Sequence, residues 1–183
     1  MKTITYTLKD VAFYIADGKH GDCLNQDDSG FYFISSKDVN DDKINYRDAR
    51  QITENDFLET NKRTRYEPDD ILVTNSGTIG RMAIAKDIAE TKRTTFQKSV
   101  AIIKPNKDKV LPLWLYYYLK ANIHILIDIA SGAAQKNLLL KDIRAFKVDV
   151  PDRSLQKSII TLLSPYYDII EKNNRRIQLL EES

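Results

Sequence analysis

The sequence is short of the residues that build disulfide frameworks, metal cages and membrane spans. Its 183 residues include one cysteine, Cys23, so neither an internal disulfide nor a cysteine-based zinc cage is expected. No apolar run approaches the roughly 20 residues of a transmembrane helix. The opening residues, MKTITYTLKD, lack the apolar stretch of a secretory signal. These features predict a protein of the reducing cytoplasm.

Catalytic signatures are equally scarce. The two histidines, His20 and His124, lie far apart, and no HExxH, GxSxG, Walker or dinucleotide fingerprint occurs. His124 lies in an apolar segment, which favours a structural histidine. The order Pro68-Asp69 followed by Glu90-Thr91-Lys92 matches the PD…(D/E)xK pattern of Mg²⁺-dependent nucleases. Because that pattern is short and its second half is polar, a nuclease is retained only as an alternative.

Charge is nearly balanced overall but unevenly distributed along the chain. The 28 basic and 26 acidic residues give a net charge of +2. Residues 1–60 hold 7 basic and 12 acidic side chains, whereas residues 61–150 hold 16 and 9. The middle of the chain is therefore a basic block. Such a block is typical of a face that binds a polyanion, and an ordinary solvated surface accounts for it as well.

Short apolar runs between polar loops predict a mixed α+β domain with a twisted sheet in residues 1–150. Strands are predicted at Phe31–Ile34, Ser99–Lys104 and Ala145–Val150, a hairpin at Asp70–Ala85, and helices at Leu113–Ala121 and Ile123–Ala130. Within the hairpin, Gly77 and Gly80 are expected to shape the turn. A phosphate cradle is not expected there, since no Lys-Ser/Thr follows these glycines.

Residues 151–183 are predicted to form a long C-terminal helix of the coiled-coil type. Apolar residues recur there at spacings of three and four with one stutter. The predicted stripe consists of Leu155, Ile159, Leu162, Tyr166, Ile170, Asn173, Ile177 and Leu180. At the stutter, Ser164-Pro165 predicts a break or kink. A single amphipathic helix needs a surface to pack on, which is either a second copy or its own domain, and Asn173 would set the register of a helix pair.

Basic and amide side chains in the middle of the chain are candidates for nucleic-acid contact. Lysine and arginine suit phosphates and guanine edges, and glutamine suits adenine. The candidates are Arg63, Arg65, Lys92, Arg93, Gln97, Lys98, Gln135 and Lys136.

Four segments taken in order resemble a known family. They are Asp17-Gly18-Lys19-His20-Gly21, then PDDILVTNSGTIGRMAIA from Pro68, then SGAAQ leading into KDIRAFKVDVP, and the terminal LQKSIITLL…IIEKNNRRIQLLEE. The sequence resembles half of the specificity (S) subunit of a type I restriction–modification system. The match gives a target recognition domain in residues 1–150 and a helical spacer and dimerisation region in residues 151–183. A usual S subunit has two of each, whereas no segment repeats here, so the chain is a half-length subunit or an excised half.

The resemblance implies a DNA reader that has no catalytic activity of its own. It implies double-stranded DNA and adenine-N6 methyltransferase subunits as partners, the latter using S-adenosylmethionine. A restriction–translocase subunit using ATP and Mg²⁺ is a further possible partner. No cofactor or metal is expected in this chain. The family's loop placement adds further candidates for base contact, namely Lys19, His20, Asn75, Ser76 and Thr78.

The resemblance and the terminal stripe together predict a homodimer, with the helices antiparallel. Identical domains related by a twofold axis would read a palindromic bipartite site. With a net charge near zero, the free chain is expected to bind DNA weakly until methyltransferase subunits enclose it. The alternative from another class is a helix-mediated interaction module without DNA specificity.

Overall fold

A computed structural model gives the arrangement of residues 2–40, 42–130 and 137–181, with the side chains of Arg175, Gln178 and Glu181 outside that description. Over these residues the chain forms ten strands and five α-helices. The strands are β1 (Thr3–Thr7), β2 (Ala12–Asp17), β3 (Tyr32–Ile34), β4 (Val39–Asn40), β5 (Lys43–Ile44), β6 (Ile71–Thr74), β7 (Met82–Ile84), β8 (Thr94–Phe96), β9 (Val100–Pro105) and β10 (Lys147–Pro151). The helices are α1 (Glu54–Thr64), α2 (Pro112–Ala121), α3 (Ile123–Asp128), α4 (Leu140–Ala145) and α5 (Arg153–Glu181).

A four-stranded antiparallel sheet in the order β2-β9-β6-β7 forms the centre of the described fold. Beside it lie two-stranded pairs: β1 with β10 and β4 with β5 are antiparallel, while β3 with β8 is parallel. The predicted α+β class with a long C-terminal helix is confirmed. Parallel and antiparallel pairing occur in separate sheets of the described chain.

Both faces of the central sheet are buried, which explains the unbroken apolar runs of its strands. On β6, Ile71 and Val73 belong to the larger core, which also contains the helices α2 and α3. Leu72, between them, belongs to a second core on the other face, together with Phe96 and Ile102. Side chains on a strand alternate between faces, so the single run ILVT supplies both cores.

Three sequence expectations need correction. The predicted break at Ser164-Pro165 does not occur, since α5 is continuous through both residues, and Leu163 and Tyr167 on either side pack on the domain and hold this turn of the helix. The alternative, a kink at Pro165, stays a prediction. The strand predicted at Ala145–Val150 begins at Lys147, since Ala145 ends α4. His124 is exposed rather than part of the core.

The buried carboxylate of Asp70 makes the free energy of unfolding depend on pH. Burial raises the pKa of Asp70 to about 6, although hydrogen bonds from Lys104 Nζ and the Glu67 amide act in the opposite direction. The folded state therefore holds this proton more tightly than the unfolded state, so the contribution of Asp70 to stability falls as pH rises from about 4 to 6.

We expect Asp70→Asn to remove this dependence. Between about pH 4 and pH 7 the free energy of unfolding of the variant, relative to the wild type, should rise by up to about 3 kcal/mol, at roughly 1.4 kcal/mol per pKa unit. Urea unfolding at both pH values measures the change, and Asp69→Asn at the neighbouring half-exposed carboxylate is the control. Parallel pH profiles for wild type and Asp70→Asn would contradict the assignment.

Candidate nucleic-acid interface

Four strands of the central sheet begin or end at one edge. β2 ends at Asp17, opposite Ala101 near the start of β9. β6 ends at Thr74, opposite Val100, and β7 begins at Met82, opposite Val73. Because these strands are antiparallel, the segments that follow or precede them meet on the same side of the sheet. We call this region, residues 17–20, 75–81 and 97–99, the loop edge.

Backbone hydrogen bonds fasten the segments of the loop edge to one another. The Lys19 amide donates to the Phe96 carbonyl at 2.8 Å, and the Lys98 amide donates to the Lys19 carbonyl at 3.1 Å. The Asn75 amide donates to the Ser99 carbonyl at 3.0 Å, and the Leu138 amide donates to the Asn75 carbonyl at 2.8 Å. The three segments of the loop edge, distant in sequence, thus form one continuous surface, and Leu138 holds the turn at Asn75 from outside it.

The path of the first segment depends on Gly18. A Cβ atom at this position would lie 2.0 Å from the Phe96 carbonyl oxygen and 2.5 Å from that of Gln97. Glycine alone allows backbone to approach backbone this closely. In the hairpin turn, Gly77 and Gly80 have positive φ angles of 74° and 89°, so the prediction that they shape the turn is confirmed.

An ion cluster supports the loop edge from beneath. Arg63 Nε donates to the Asp17 carbonyl at 2.9 Å, and its terminal nitrogen pairs with the Asp17 carboxylate. His20 Nε2 lies 2.8 Å from the other carboxylate oxygen. Burial acts to raise the pKa of Asp17, but the bonds from His20 and Arg63 outweigh it and the pKa is lowered. Asp17 therefore stays ionised and orients the side chains of both Arg63 and His20.

The structure places seven of the predicted contact residues on the loop edge, namely Lys19, His20, Asn75, Ser76, Thr78, Gln97 and Lys98. Their exposure differs. Asn75 is only 7% exposed, so it supports the turn from within, whereas Thr78 and Lys98 face solvent. Lys19 Nζ lies 3.9 Å from carboxylate oxygens of Asp56 and Glu59, which offset part of its charge.

The other predicted contact residues lie elsewhere. Arg63 borders the loop edge through Asp17, and Arg65, two residues further on, is the C-cap of α1 in a left-handed conformation. Lys92 and Arg93 precede β8, at the end opposite to Gln97, and the Arg93 guanidinium lies 5.7 Å from the centre of the Phe31 ring. Gln135 and Lys136 lie outside the described residues.

Some residues of the site were missed in the sequence because they act through the backbone or from a distance. Asp17 and Ser99 hold the loops together without being predicted contacts. The Ser99 hydroxyl accepts a hydrogen bond from the Ser36 amide at 3.1 Å. Nothing local in the sequence links Ser36 to Ser99, so only the fold brings them together.

The aspartate of the nuclease-like pattern is occupied by a lysine. Asp69 of Pro68-Asp69 pairs with Lys107 at 2.6 Å, and the adjacent Asp70, which is not part of the pattern, pairs with Lys104 at 2.6 Å. Among the described residues, no group of three or more histidine, cysteine, aspartate or glutamate side chains is placed to hold a metal ion. In the same part of the chain, no helix is both long and apolar enough to cross a bilayer.

The long helix α5 carries two apolar faces rather than one stripe. Ile159, Ile160, Leu163 and Tyr167 pack against the core of the chain's own domain, so the assignment of Ile159 to the dimerisation stripe is wrong. About 100° around the helix from this packed face, at 3.6 residues per turn, lies a face that is largely exposed. We call it the outer face, and it consists of Leu162, Tyr166, Ile169, Asn173, Ile177 and Leu180. Ile170 of the predicted stripe is also exposed but lies between the two faces.

Comparisons with known proteins find relatives of the chain both in sequence and in structure. A family model described as the type I restriction modification DNA specificity domain matches residues 3–182. The chain is 30% identical over 148 residues to the specificity subunit of the type I restriction enzyme EcoBI from Escherichia coli, covering 78% of this chain and 30% of that protein. It is 31% identical over 154 residues to the MjaIX specificity subunit of Methanocaldococcus jannaschii, covering 82% of this chain and 34% of that protein.

A solved structure shares the fold over nearly the whole chain. The S subunit of a type I restriction–modification system from M. genitalium superposes with a TM-score of 0.69 at 13% identity, covering 99% of this chain and 43% of that one. The chain thus spans about a third of the length of the curated relatives and less than half of this structure.

Proposed function

Because the chain belongs to the family of type I restriction–modification DNA specificity domains, we propose that it reads one half of a bipartite DNA sequence and leaves the chemistry to other subunits. The observation that carries the proposal is the loop edge, where polar side chains from separate segments share one surface. A rigid surface of this kind can present several side chains to successive base pairs of the major groove. The lysines and arginines around it can hold phosphates.

Within the loop edge the roles divide by exposure and chemistry. Ser76, Thr78 and Gln97 carry hydrogen-bonding groups without charge, which suit base edges. Lys98 is exposed and suits a phosphate. Arg63 and Asn75 position the loops, since Arg63 is bound to Asp17 and Asn75 is buried.

The proposed partners are double-stranded DNA and adenine-N6 methyltransferase subunits, which supply S-adenosylmethionine chemistry. A restriction–translocase subunit with ATP and Mg²⁺ joins them where the system has one. The chain itself acts as a specificity factor in the cytoplasm. Its relatives from Escherichia coli and Methanocaldococcus jannaschii are specificity subunits of type I restriction enzymes, which supports this division of labour.

We further propose that two copies pair through the outer face of α5. From Leu162 to Leu180 this face extends about 27 Å at 1.5 Å per residue. Its positions are nearly symmetric about Glu171, so an antiparallel partner would set Leu162 opposite Leu180 and Ile169 opposite Asn173. A twofold dimer of this kind presents two identical loop edges and reads a palindromic site with a fixed spacer.

Co-expression of the chain with methyltransferase subunits of a type I system, followed by mapping of methylated adenines in genomic DNA, tests the proposal. We expect methylation at a palindromic motif of two short half-sites separated by unspecified bases. Methylation at a single continuous motif would contradict pairing of two readers. An unchanged methylation pattern when the chain is omitted would contradict its role in specificity.

We expect Lys98→Ala to weaken binding to all duplexes alike. Loss of one phosphate contact should lower the slope of log affinity against log salt concentration by about one. Fluorescence anisotropy of the complex with the methyltransferase subunits, on specific and unrelated duplexes over a salt series, measures the effect. Lys9→Ala, at an exposed lysine just before the start of β2 and so at the end of that strand opposite to the loop edge, is the control. A loss confined to the specific duplex would instead assign Lys98 to a base.

A further inference from the structure

Side chains on three parts of the chain hold the middle of α5 against the domain. These three parts are the turn between β4 and β5, the residues just after β7, and α2, and their partners on α5 complete the group. We call this group the clasp, and it consists of Asp42, Lys86, Tyr117, Lys120, Tyr167 and Glu171. Neither DNA contact nor the outer face uses any of these residues.

An aromatic stack forms the centre of the clasp. The rings of Tyr117 and Tyr167 lie 4.6 Å apart at an interplanar angle of 17°. The hydroxyl of Tyr117, on α2, lies 3.2 Å from the hydroxyl of Ser164, which is on α5 like Tyr167. Lys120 Nζ lies 5.1 Å from the centre of the Tyr167 ring, which is a favourable position for a cation. The stack therefore joins α2 to α5 in one defined orientation.

The turn between β4 and β5 fixes the cation over the ring. Asp42 adopts a left-handed backbone conformation, with φ at 66°, which aspartate tolerates better than most residues. Its carboxylate pairs with Lys120 and accepts a hydrogen bond from the Tyr116 hydroxyl at 2.6 Å. Asp42 thus holds Lys120 in place from a separate element.

The third contact links α5 to the residues that follow β7, the strand whose start lies at the loop edge. Lys86 Nζ pairs with Glu171 Oε1 at 2.6 Å. Lys86 follows β7, and the start of β7 lies at the loop edge. Both partners are half-exposed, and such ion pairs contribute little to stability. The aromatic stack and the packing of α5 therefore supply most of the strength of the clasp, and the ion pair adds one contact whose charges can be reversed without removing apolar packing.

A separate attachment lies near the beginning of α5. Gln156 is buried, accepts a hydrogen bond from the Leu111 amide at 2.8 Å and donates to the Pro151 carbonyl at 3.0 Å. From Gln156 to Glu171 the helix rises about 22 Å. Together with the packing of Ile159, Ile160 and Leu163 between them, two attachments this far apart fix the direction of the helix.

From this geometry we infer that the clasp determines the spacer length of the DNA site, because it fixes the angle between α5 and the loop edge. In a dimer joined through the outer face, a small change of that angle changes both the distance between the two loop edges and their relative rotation. Half-site sequence depends on the loop edge and stays unchanged. This inference rests on the proposed function.

Two sets of variants distinguish a change in the orientation of α5 from a failure of the chain to fold. Tyr167→Ala removes the ring of the stack, and Tyr167→Phe keeps it as the conservative control, since the ring makes both of the contacts described above. Lys86→Glu and Glu171→Lys each place like charges together, and the double exchange restores an opposite pair. The charge variants keep the test valid if Tyr167→Ala fails to fold.

The DNA readout uses the full chain with its methyltransferase subunits. Plasmids carry the two wild-type half-sites separated by every spacer length over one helical turn, about 10 base pairs. We expect wild type and Tyr167→Phe to methylate one spacer length. Tyr167→Ala and each single charge reversal should methylate additional or shifted lengths at unchanged half-sites, and the double exchange should restore the single length. Unchanged spacer choice in all folded variants would overturn the inference.

A distance measurement without DNA tests the role of the clasp independently of the proposed function. Spin labels at Asp27 and Arg176, both exposed, are introduced with Cys23 replaced by alanine, and their distance distribution is measured. We expect a narrow distribution in wild type and the double exchange, and a broader or shifted one in the single reversals. Clasp-dependent distances without sequence-specific methylation would refute the proposed function and, with it, the role of the clasp in spacing. Distances unaffected by the reversals would refute the clasp alone.

Discussion

Replacing Gly18 with alanine is expected to destroy the loop edge. The new Cβ would lie 2.0 Å from the Phe96 carbonyl oxygen and 2.3 Å from its carbon. These are backbone atoms of the segment that meets the Lys19 loop, so relief requires the two segments to separate. Separation breaks the bonds from the Lys19 amide to Phe96 and from the Lys98 amide to Lys19. We expect a loss of about 3 kcal/mol or more in the free energy of unfolding and loss of sequence-specific methylation.

Gly21→Ala provides a matched control three residues away. Gly21 has a positive φ of 117°, but no atom lies within 4 Å of a Cβ built there. Alanine therefore brings backbone strain of about 1–2 kcal/mol without a collision. Chemical denaturation and methylation mapping of both variants separate the two causes. Equal stability losses in the two variants would contradict the close approach described for Gly18.

Charging the outer face of α5 is expected to have the second largest effect. Ile169→Glu combined with Ile177→Glu places two carboxylates in each helix of an apolar antiparallel pair, where they repel one another and lose hydration. We expect the dimer to become a monomer in sedimentation equilibrium while the far-UV and near-UV spectra of the domain persist. Methylation of the bipartite site should be lost, because a monomer carries one reader.

Thr161→Glu combined with Lys172→Glu is the control for this experiment. Both positions are exposed and, by the helical repeat, face away from the outer face and from the domain. This variant should stay dimeric. A wild-type chain that is monomeric in the presence of methyltransferase subunits and still methylates a palindromic site would contradict the pairing.

The sequence predicts local elements of this fold well. The hairpin around Asn75 is visible because an apolar run, a turn with two glycines and a second run follow one another within 16 residues, Asp70–Ala85. The terminal helix is visible because its apolar residues recur with helical spacing. Both signals depend on neighbours in the chain, and the structure confirms them.

The sequence does not predict the contacts between segments that are far apart in the chain. Asp17 and Arg63 are separated by 46 positions, and the need for glycine at position 18 arises only from the carbonyl of Phe96. The stripe on α5 was misjudged for a similar reason. Helical spacing identifies apolar positions but not the partner that covers each one, so Ile159, which packs on its own domain, was grouped with residues of the outer face.

The central claim is that the loop edge determines which bases are specified. The most direct test replaces Ser76, Thr78 and Gln97 one at a time with alanine and maps methylated adenines in cells that also express methyltransferase subunits. Each replacement should relax the preference at one position in both half-sites, at about 1–3 kcal/mol per base contact, while the spacer and the remaining bases stay unchanged. An identical motif for all three variants, with methylation at wild-type levels, would contradict the claim.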